Sequence, residues 1–246
     1  MLYIEVVEVT LTVLFLALGA GASWFLLPHA LRWLGERRLA ARCREARAIL
    51  LSYDDGPGHR LTPSLLDLLA RHRARATFFF LGERASANPS VVRRAVAAGH
   101  AVGSHSFAHS SAWTSLPHVH QRDVARGIET ISALGGNIHL HRPPYGKTTL
   151  ASLTSAIRRG LRLCWWSVDS KDSWARRPID EVIAEIRRKG GGAVLMHDWD
   201  EYPEAATEGA PHAAHVLELT ERILELAAAE NYRVLTFADL AEPGRS

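Results

Sequence analysis

The stretch ILLSYDDGPG, residues 49–58, begins as an apolar strand-like run and ends in two adjacent acids followed by Gly-Pro-Gly. Asp, Gly and Pro are ordinary turn residues, so Asp54 and Asp55 could serve backbone geometry alone. The alternative is a site in which two neighbouring carboxylates do different work. Where this strand sits among the others separates the two readings.

Downstream, apolar runs alternate with amphipathic ones. AILLSY, ATFFFLG, HAVGSHS, IHLHR, LRLCWWSV, GGAVLMHD and YRVLTF read as seven strands. Helical periodicity covers residues 62–72, 89–98, 117–134, 148–159, 178–189 and 211–230, with Gly99 and Gly160 as stops. Short β-rich runs alternating with helices predict βαβ units and a parallel sheet. No linker or domain-sized break interrupts them. The reading is one α/β domain over residues 47–246, a (β/α)7-type barrel.

The polar residues cluster at strand ends. Asp54 and Asp55 follow the first strand, His105 the third, Arg142 and Tyr145 the fourth, Asp169 the fifth, and His197 with Asp198 the sixth. In a (β/α) barrel the carboxyl ends of all strands meet at one face, where active sites are built. One Asp after a strand means little; five clusters on a common face exceed turn chemistry.

Within HSFAH, His105 and His109 stand four residues apart. On a helical turn, i and i+4 point the same way, so both imidazoles can grip one cation. The spacing alone is a weak signal among thirteen histidines; His72, His118, His120, His212 and His215 read as solvated. The pair gains weight from the nearby carboxylates, since two His and one carboxylate with open positions make a hydrolytic metal site. One aspartate then serves as ligand. The other, kept charged by the cation and an arginine, takes the proton of the attacking water. His197 is the candidate acid, with a carboxylate such as Asp169 orienting its ring.

Composition excludes other classes. The 246-residue chain is 47% hydrophobic with a net charge of +3 and a pI near 9.1. That mild basicity has no basic stripe interleaved with aromatics, so nucleic acid is not an expected partner. Cys43 and Cys164 form no C-x-x-C pair, which leaves no disulfide framework and no cysteine zinc site. Residues 9–27, VTLTVLFLALGAGASWFLL, carry no charge over about the length of a membrane-spanning helix. Trp24 and Pro28 stand where an interfacial aromatic and a helix stop belong. Glu5 and Glu8 precede the run in place of a basic signal-peptide region, so residues 1–46 read as a membrane anchor with an Arg-rich flank. Arg32, Arg37, Arg38, Arg42, Arg44 and Arg47 all follow the apolar run and no Lys or Arg precedes it. The positive-inside rule therefore favours a cytoplasmic barrel, and the same cluster could lie on anionic headgroups.

Taken together, SYDDGPG, HSFAH, RPPYG, VDSKDSW and LMH resemble, in order, the five motifs of the polysaccharide deacetylases of carbohydrate esterase family 4. The resemblance spans residues 49–237. It implies a distorted (β/α) barrel that hydrolyses N-acetyl, sometimes O-acetyl, groups on sugars with a divalent cation, commonly zinc. It implies Asp54 as catalytic base, Asp55, His105 and His109 as metal ligands, and Arg142 as the partner that holds Asp54 charged. The backbone N–H of Tyr145 would stabilise the oxyanion, His197 would be the acid with Asp169 tuning it, and Leu195 would line the acetyl pocket. In the fourth motif the usual groove Trp is Ser173, and Trp174 comes one residue later; Asp172 is given no role. Tyr53, Trp165 and Trp166 read as core aromatics, and WDEYPEAATEGAPH as a solvated loop.

The expected function is removal of N-acetyl groups from a GlcNAc-type saccharide. An O-acetyl esterase and a catalytically silent saccharide-binding module are the alternatives. Family habit places such enzymes outside the cytoplasm, whereas the Arg flank places the barrel inside; a lipid-linked saccharide made at the inner membrane face would reconcile the two.

Overall fold

The computed structural model describes residues 2–202 and 211–240, and from residue 21 onward it describes the side chains of all of these. In chain order the elements are α1 (Leu2–Glu45), β1 (Ala48–Asp54), α2 (Leu61–Arg71), β2 (Thr77–Phe80), α3 (Gly82–Ala87), α4 (Pro89–Ala97), β3 (Ala101–Ser104) and α5 (Pro117–Ala133). Then follow β4 (Leu140–His141), α6 (Leu150–Arg158), β5 (Arg162–Leu163), β6 (Val168–Asp169), α7 (Ile179–Lys189), β7 (Gly192–His197), α8 (His212–Ala229) and β8 (Arg233–Val234). The expected helices are all present within a few residues. LRLCWWSV forms two short strands where one was expected, and α3 is an added element.

Every pairing is parallel, in the order β5-β4-β3-β2-β1-β7-β6, with β8 on β1. Strand alternation sends successive side chains to opposite faces. From β1, Ile49, Leu51 and Tyr53 join the core between sheet and helices, along with Phe78, Phe80, Val194 and Met196. Leu50 goes to the other face with Phe79, Ala101, Leu140 and Ala193. That second cluster fills the base of the lumen, closed below by Phe237 and Leu240. Burying each large apolar side chain contributes about 1.5–3 kcal/mol.

The two edge strands, β5 and β6, are not paired with each other, so the sheet is an open barrel with a seam. Only residues 164–167 separate them, a stretch that reaches at most about 17 Å. The edges are therefore brought round toward one another, held by the chain rather than by a ladder.

α1 packs along this seam. Its Leu39 and Cys43 belong to the lumen cluster, and Gly35 lies so close to Trp165 that a Cβ there would sit 2.8 Å from Cδ1. The stop expected at Pro28 is not taken. The helix continues through it, Pro28 is buried, and the missing N–H costs one hydrogen bond. Several of the arginines expected to face headgroups are engaged with the protein: Arg42 donates to Leu240 O and Arg47 to Glu230 O. Among the described residues no helix is long and apolar enough to cross a membrane. Most side chains of the run 9–27, on which the anchor reading falls, lie outside the described residues.

Candidate active site

β1 and β7 are neighbours in a register that places Asp54 opposite His197. Adjacent strands lie about 4.8 Å apart, so the expected base and acid end two touching strands. Asp54 Oδ1 accepts a 2.7 Å bond from Arg142 Nη1. Arg142, at the end of β4, is fully buried, and its other donors reach Ser52 Oγ, Cys164 O and Trp165 O. A buried guanidinium is tolerable only when so paired. The same side chain thus fixes Asp54 and ties the seam segment to the lumen.

Asp55 follows with φ +70°, a conformation that turns its carboxylate away from the strand's alternation. Its Oδ1 lies 3.2 Å from His109 Nε2 and 3.5 Å from His105 Nε2, and the two Nε2 atoms are 3.2 Å apart. These three residues form the metal-competent cluster found among the described residues. Two further observations fit a cation. Asp55 Oδ1 is buried without a hydrogen-bond partner. His105 Nδ1 is 2.7 Å from Arg142 O, so that nitrogen donates and Nε2 is free to ligate. Burial opposes charge on Asp55, but His105, His109, His197 and the Tyr202 hydroxyl bring its pKa down to about 2. Burial and His105 together lower His109 to about 4, which favours the neutral ligand form.

The histidine pair is not on a helical turn as expected. Residues 105–109 form an irregular loop in which Ser106 (φ +72°) and His109 (φ +59°) are left-handed. Its carbonyls are bound by the N–H groups opening α3, Gly82 to Ser106 and Glu83 to Phe107, and Asp123 accepts from Ala108 and Ser110. Such strained backbone persists where the surroundings over-determine it.

His197 Nδ1 lies 2.9 Å from Asp172 Oδ1, not against Asp169. Asp169 spends Oδ1 on the N–H of Lys171, a tight turn that with Lys171 at φ +53° folds the chain back and brings Asp172 under the ring. Asp172 is fully buried and also accepts from Ser170 Oγ, from the His197 N–H and from His212 Nε2. Burial alone would lower the His197 pKa. The Asp172 carboxylate, with Asp55 and Asp54 beyond it, instead pushes it up to about 10. Asp172 is held far below the carboxylate range despite its burial, chiefly by His197 and then His212.

Leu195, two residues before His197 on β7, shares its face of the strand and is buried. Tyr145 has φ +58°, an exposed ring 4.4 Å from His109, and a backbone N–H with no acceptor among the described residues. Trp174 is exposed beyond β6 with Lys171 over its ring. Tyr53 and Trp165 are buried as expected; Trp166 is half-buried.

Besides Asp172, sequence reasoning missed two further contributors. Tyr202, in the stretch read as solvated, donates its hydroxyl to Asp55 Oδ2 and sets its ring against His197 and His212. Residues 203–210 of that stretch lie outside the described residues. The available signal was its aromatic pair, Trp199 and Tyr202, directly after the strand that carries His197. His212 is buried, as are His120 and His215, none of them solvated.

The family model described as polysaccharide deacetylase matches residues 41–164. A chitooligosaccharide deacetylase of Bradyrhizobium sp. (strain ANU 289) is 36% identical over 156 residues, covering 62% of this chain and 71% of that protein. A peptidoglycan-N-acetylglucosamine deacetylase of Bacillus cereus is 29% identical over 198 residues, 79% of this chain and 88% of that protein. The solved family 4 carbohydrate esterase from Streptomyces lividans, in complex with acetate, superposes with a TM-score of 0.65 at 32% identity, covering 76% of this chain and 91% of that one. With a parallel barrel and a rim of paired acids and histidines already in place, these matches mean that the chain belongs to the polysaccharide deacetylase family and is an enzyme of that kind.

Proposed function

We propose that the chain is a metal-dependent N-deacetylase acting on a saccharide of GlcNAc type, with zinc as the expected metal. The observation that carries this reading is the meeting of three units on one rim: the Asp54–Arg142 pair, the His197–Asp172 pair and the Asp55–His105–His109 cluster. Asp55, His105 and His109 would hold the cation, which when bound supplies a Lewis acid for the acetyl carbonyl and for water.

The chain's own groups do the rest. Arg142 occupies Asp54 Oδ1, leaving Oδ2, 3.8 Å from His105 Nε2, to take a proton from the attacking water. The Tyr145 N–H donates to the acetyl oxygen as it gains charge. His197, cationic at neutral pH, gives its proton to the sugar nitrogen as the C–N bond breaks. The products are acetate and a free amine. Leu195 lines the methyl pocket, while Tyr145 and Trp174 border the sugar. GlcNAc-type substrates are supported by the relatives, whose names specify chitooligosaccharide and peptidoglycan N-acetylglucosamine.

The test is acetate release from N-acetylglucosamine oligomers by metal-stripped protein titrated with zinc, run beside an O-acetylated sugar. Zinc-dependent release from the N-acetyl substrate supports the reading. Release from the ester alone replaces it with the esterase. No release from either substrate at any zinc concentration removes it.

The uncharged run 9–27 supports a membrane anchor, and its Arg flank a cytoplasmic barrel acting on a lipid-linked saccharide. A reporter fused after Phe237 and active only outside the cytoplasm would overturn that side.

A further inference from the structure

The family match begins at residue 41, yet a side chain nine residues earlier reaches the catalytic rim. Arg32, on α1, donates from Nη1 to Gly146 O at 2.6 Å. Its guanidinium lies 4.6 Å from the Trp166 ring centroid and 5.5 Å from that of Trp165, and Nε is bonded to Glu36 Oε1 at 2.8 Å. Stacking on one side and fork-shaped donation on the other are what a guanidinium does and an ammonium does less well.

The group it grips is the turn that carries Tyr145. Within Pro144–Gly146, Tyr145 (φ +58°) and Gly146 (φ +61°) are successive left-handed residues. The local bonds are Gly146 N–H to Pro143 O and Lys147 N–H to Pro144 O, each closing a tight turn. A non-glycine residue in this region is strained and needs outside support. Arg32 supplies that support from across the seam. The fit is close enough that a Cβ on Gly146 would lie 2.3 Å from Arg32 Nη1. Meanwhile the Tyr145 N–H has no acceptor among the described residues, which leaves it open to a substrate oxygen.

We propose that Arg32 is a positioning residue of the deacetylase site, holding the Pro144–Gly146 turn so that the Tyr145 N–H points at the developing oxyanion. α1 is then a working part of the catalytic unit. The inference rests on the oxyanion role given to Tyr145 under the proposed function.

The test uses the full chain and compares R32A, R32K and the same-helix control R37A, whose side chain stacks on Trp33 instead. For R32A the expected result is a kcat lower by about 10- to 100-fold, in line with a misplaced oxyanion donor. KM stays within about twofold and zinc affinity is unchanged. Amide hydrogen exchange at Gly146 and Lys147, whose N–H groups close the turn, speeds up. R32K, which keeps one donor, recovers part of the rate, and R37A matches the parent. Parental kcat in R32A overturns the proposal, as does a rate loss accompanied by loss of zinc binding. The exchange measurement needs no turnover. If the parent protein releases no acetate, the functional reading fails, while unchanged exchange in R32A defeats the bracing itself.

Discussion

Asp54 and Asp55 share a peptide bond, and one backbone angle separates their roles. Asp54 closes β1 in extended conformation and points into the lumen at Arg142; Asp55, at φ +70°, swings to the histidines. Asp54→Asn keeps the shape and removes the carboxylate proposed to accept the proton. The expected outcome is a fall in kcat of about 10²- to 10⁴-fold, the usual worth of a general base, with zinc affinity within a few-fold of the parent. Calorimetry beside steady-state kinetics checks both, and a loss of zinc binding equal to the loss of rate would reassign Asp54 as a ligand. For the acid, Asp172→Asn and Asp169→Asn are opposed tests. Because Asp172 raises His197 to about 10, the alkaline limb of the pH–rate profile should move toward neutrality in Asp172→Asn and stay put in Asp169→Asn. The same linkage reaches stability. A histidine raised from its ordinary value near 6.5 stabilises the fold in full below that value, and the contribution is lost as pH rises through about 10. Urea midpoints should decline across that window in the parent and decline less in Asp172→Asn. Equal slopes would mean that His197 owes its charge to something else.

At the scale of elements, the strand and helix alternation was legible because a period of two and a period of 3.6 leave distinct patterns in runs of this length. Two features left no such trace. α3, GERASA, is six residues long and too short to display a period. LRLCWWSV splits because Arg142 takes the carbonyls of Cys164 and Trp165, drawing the middle of the run out of the ladder. The pairing of His197 with Asp172 rather than Asp169 depends on a turn at Lys171, and the burial of His212 on a partner forty residues away; spacing encodes neither. The His105–His109 spacing was read correctly as convergent and wrongly as helical. What shapes that loop is α5, where Gly127 is seated so close that a Cβ would lie 2.3 Å from the Ser106 carbonyl carbon. Glycine inside a helix costs about 1 kcal/mol relative to alanine, so Gly127→Ala would favour α5 taken by itself. In the folded protein it must push the loop, and zinc affinity should drop by about 10- to 100-fold, as when a ligand loses its outer support. Parental affinity, with circular dichroism also unchanged, would show that the loop holds its shape without that close approach.

For the whole molecule, the barrel is divided by height. Its base is apolar, with Leu50, Phe79, Leu140 and Ala193 packed on Leu39, Cys43, Phe237 and Leu240. Its rim collects charge, including the Asp55 oxygen that is buried without a partner. Burial of an unpaired carboxylate oxygen is costly, and a cation placed among Asp55, His105 and His109 relieves that cost in the folded state alone, since the three residues are brought together only by folding. Zinc should therefore act as a folding ligand for the entire domain. At a free concentration about 100 times its Kd the gain is about 2.7 kcal/mol. For a domain of this size that corresponds to a thermal midpoint higher by about 5–10 °C. A chelator should reverse the rise, His109→Asn should abolish most of it, and Asp54→Asn should keep it, because Asp54 lies outside the three-residue cluster and is bound by Arg142. Differential scanning calorimetry of the full chain with and without zinc reads all four. A midpoint indifferent to zinc in the parent would mean that the three ligand atoms, close as they are, do not form a site strong enough to pull on the fold.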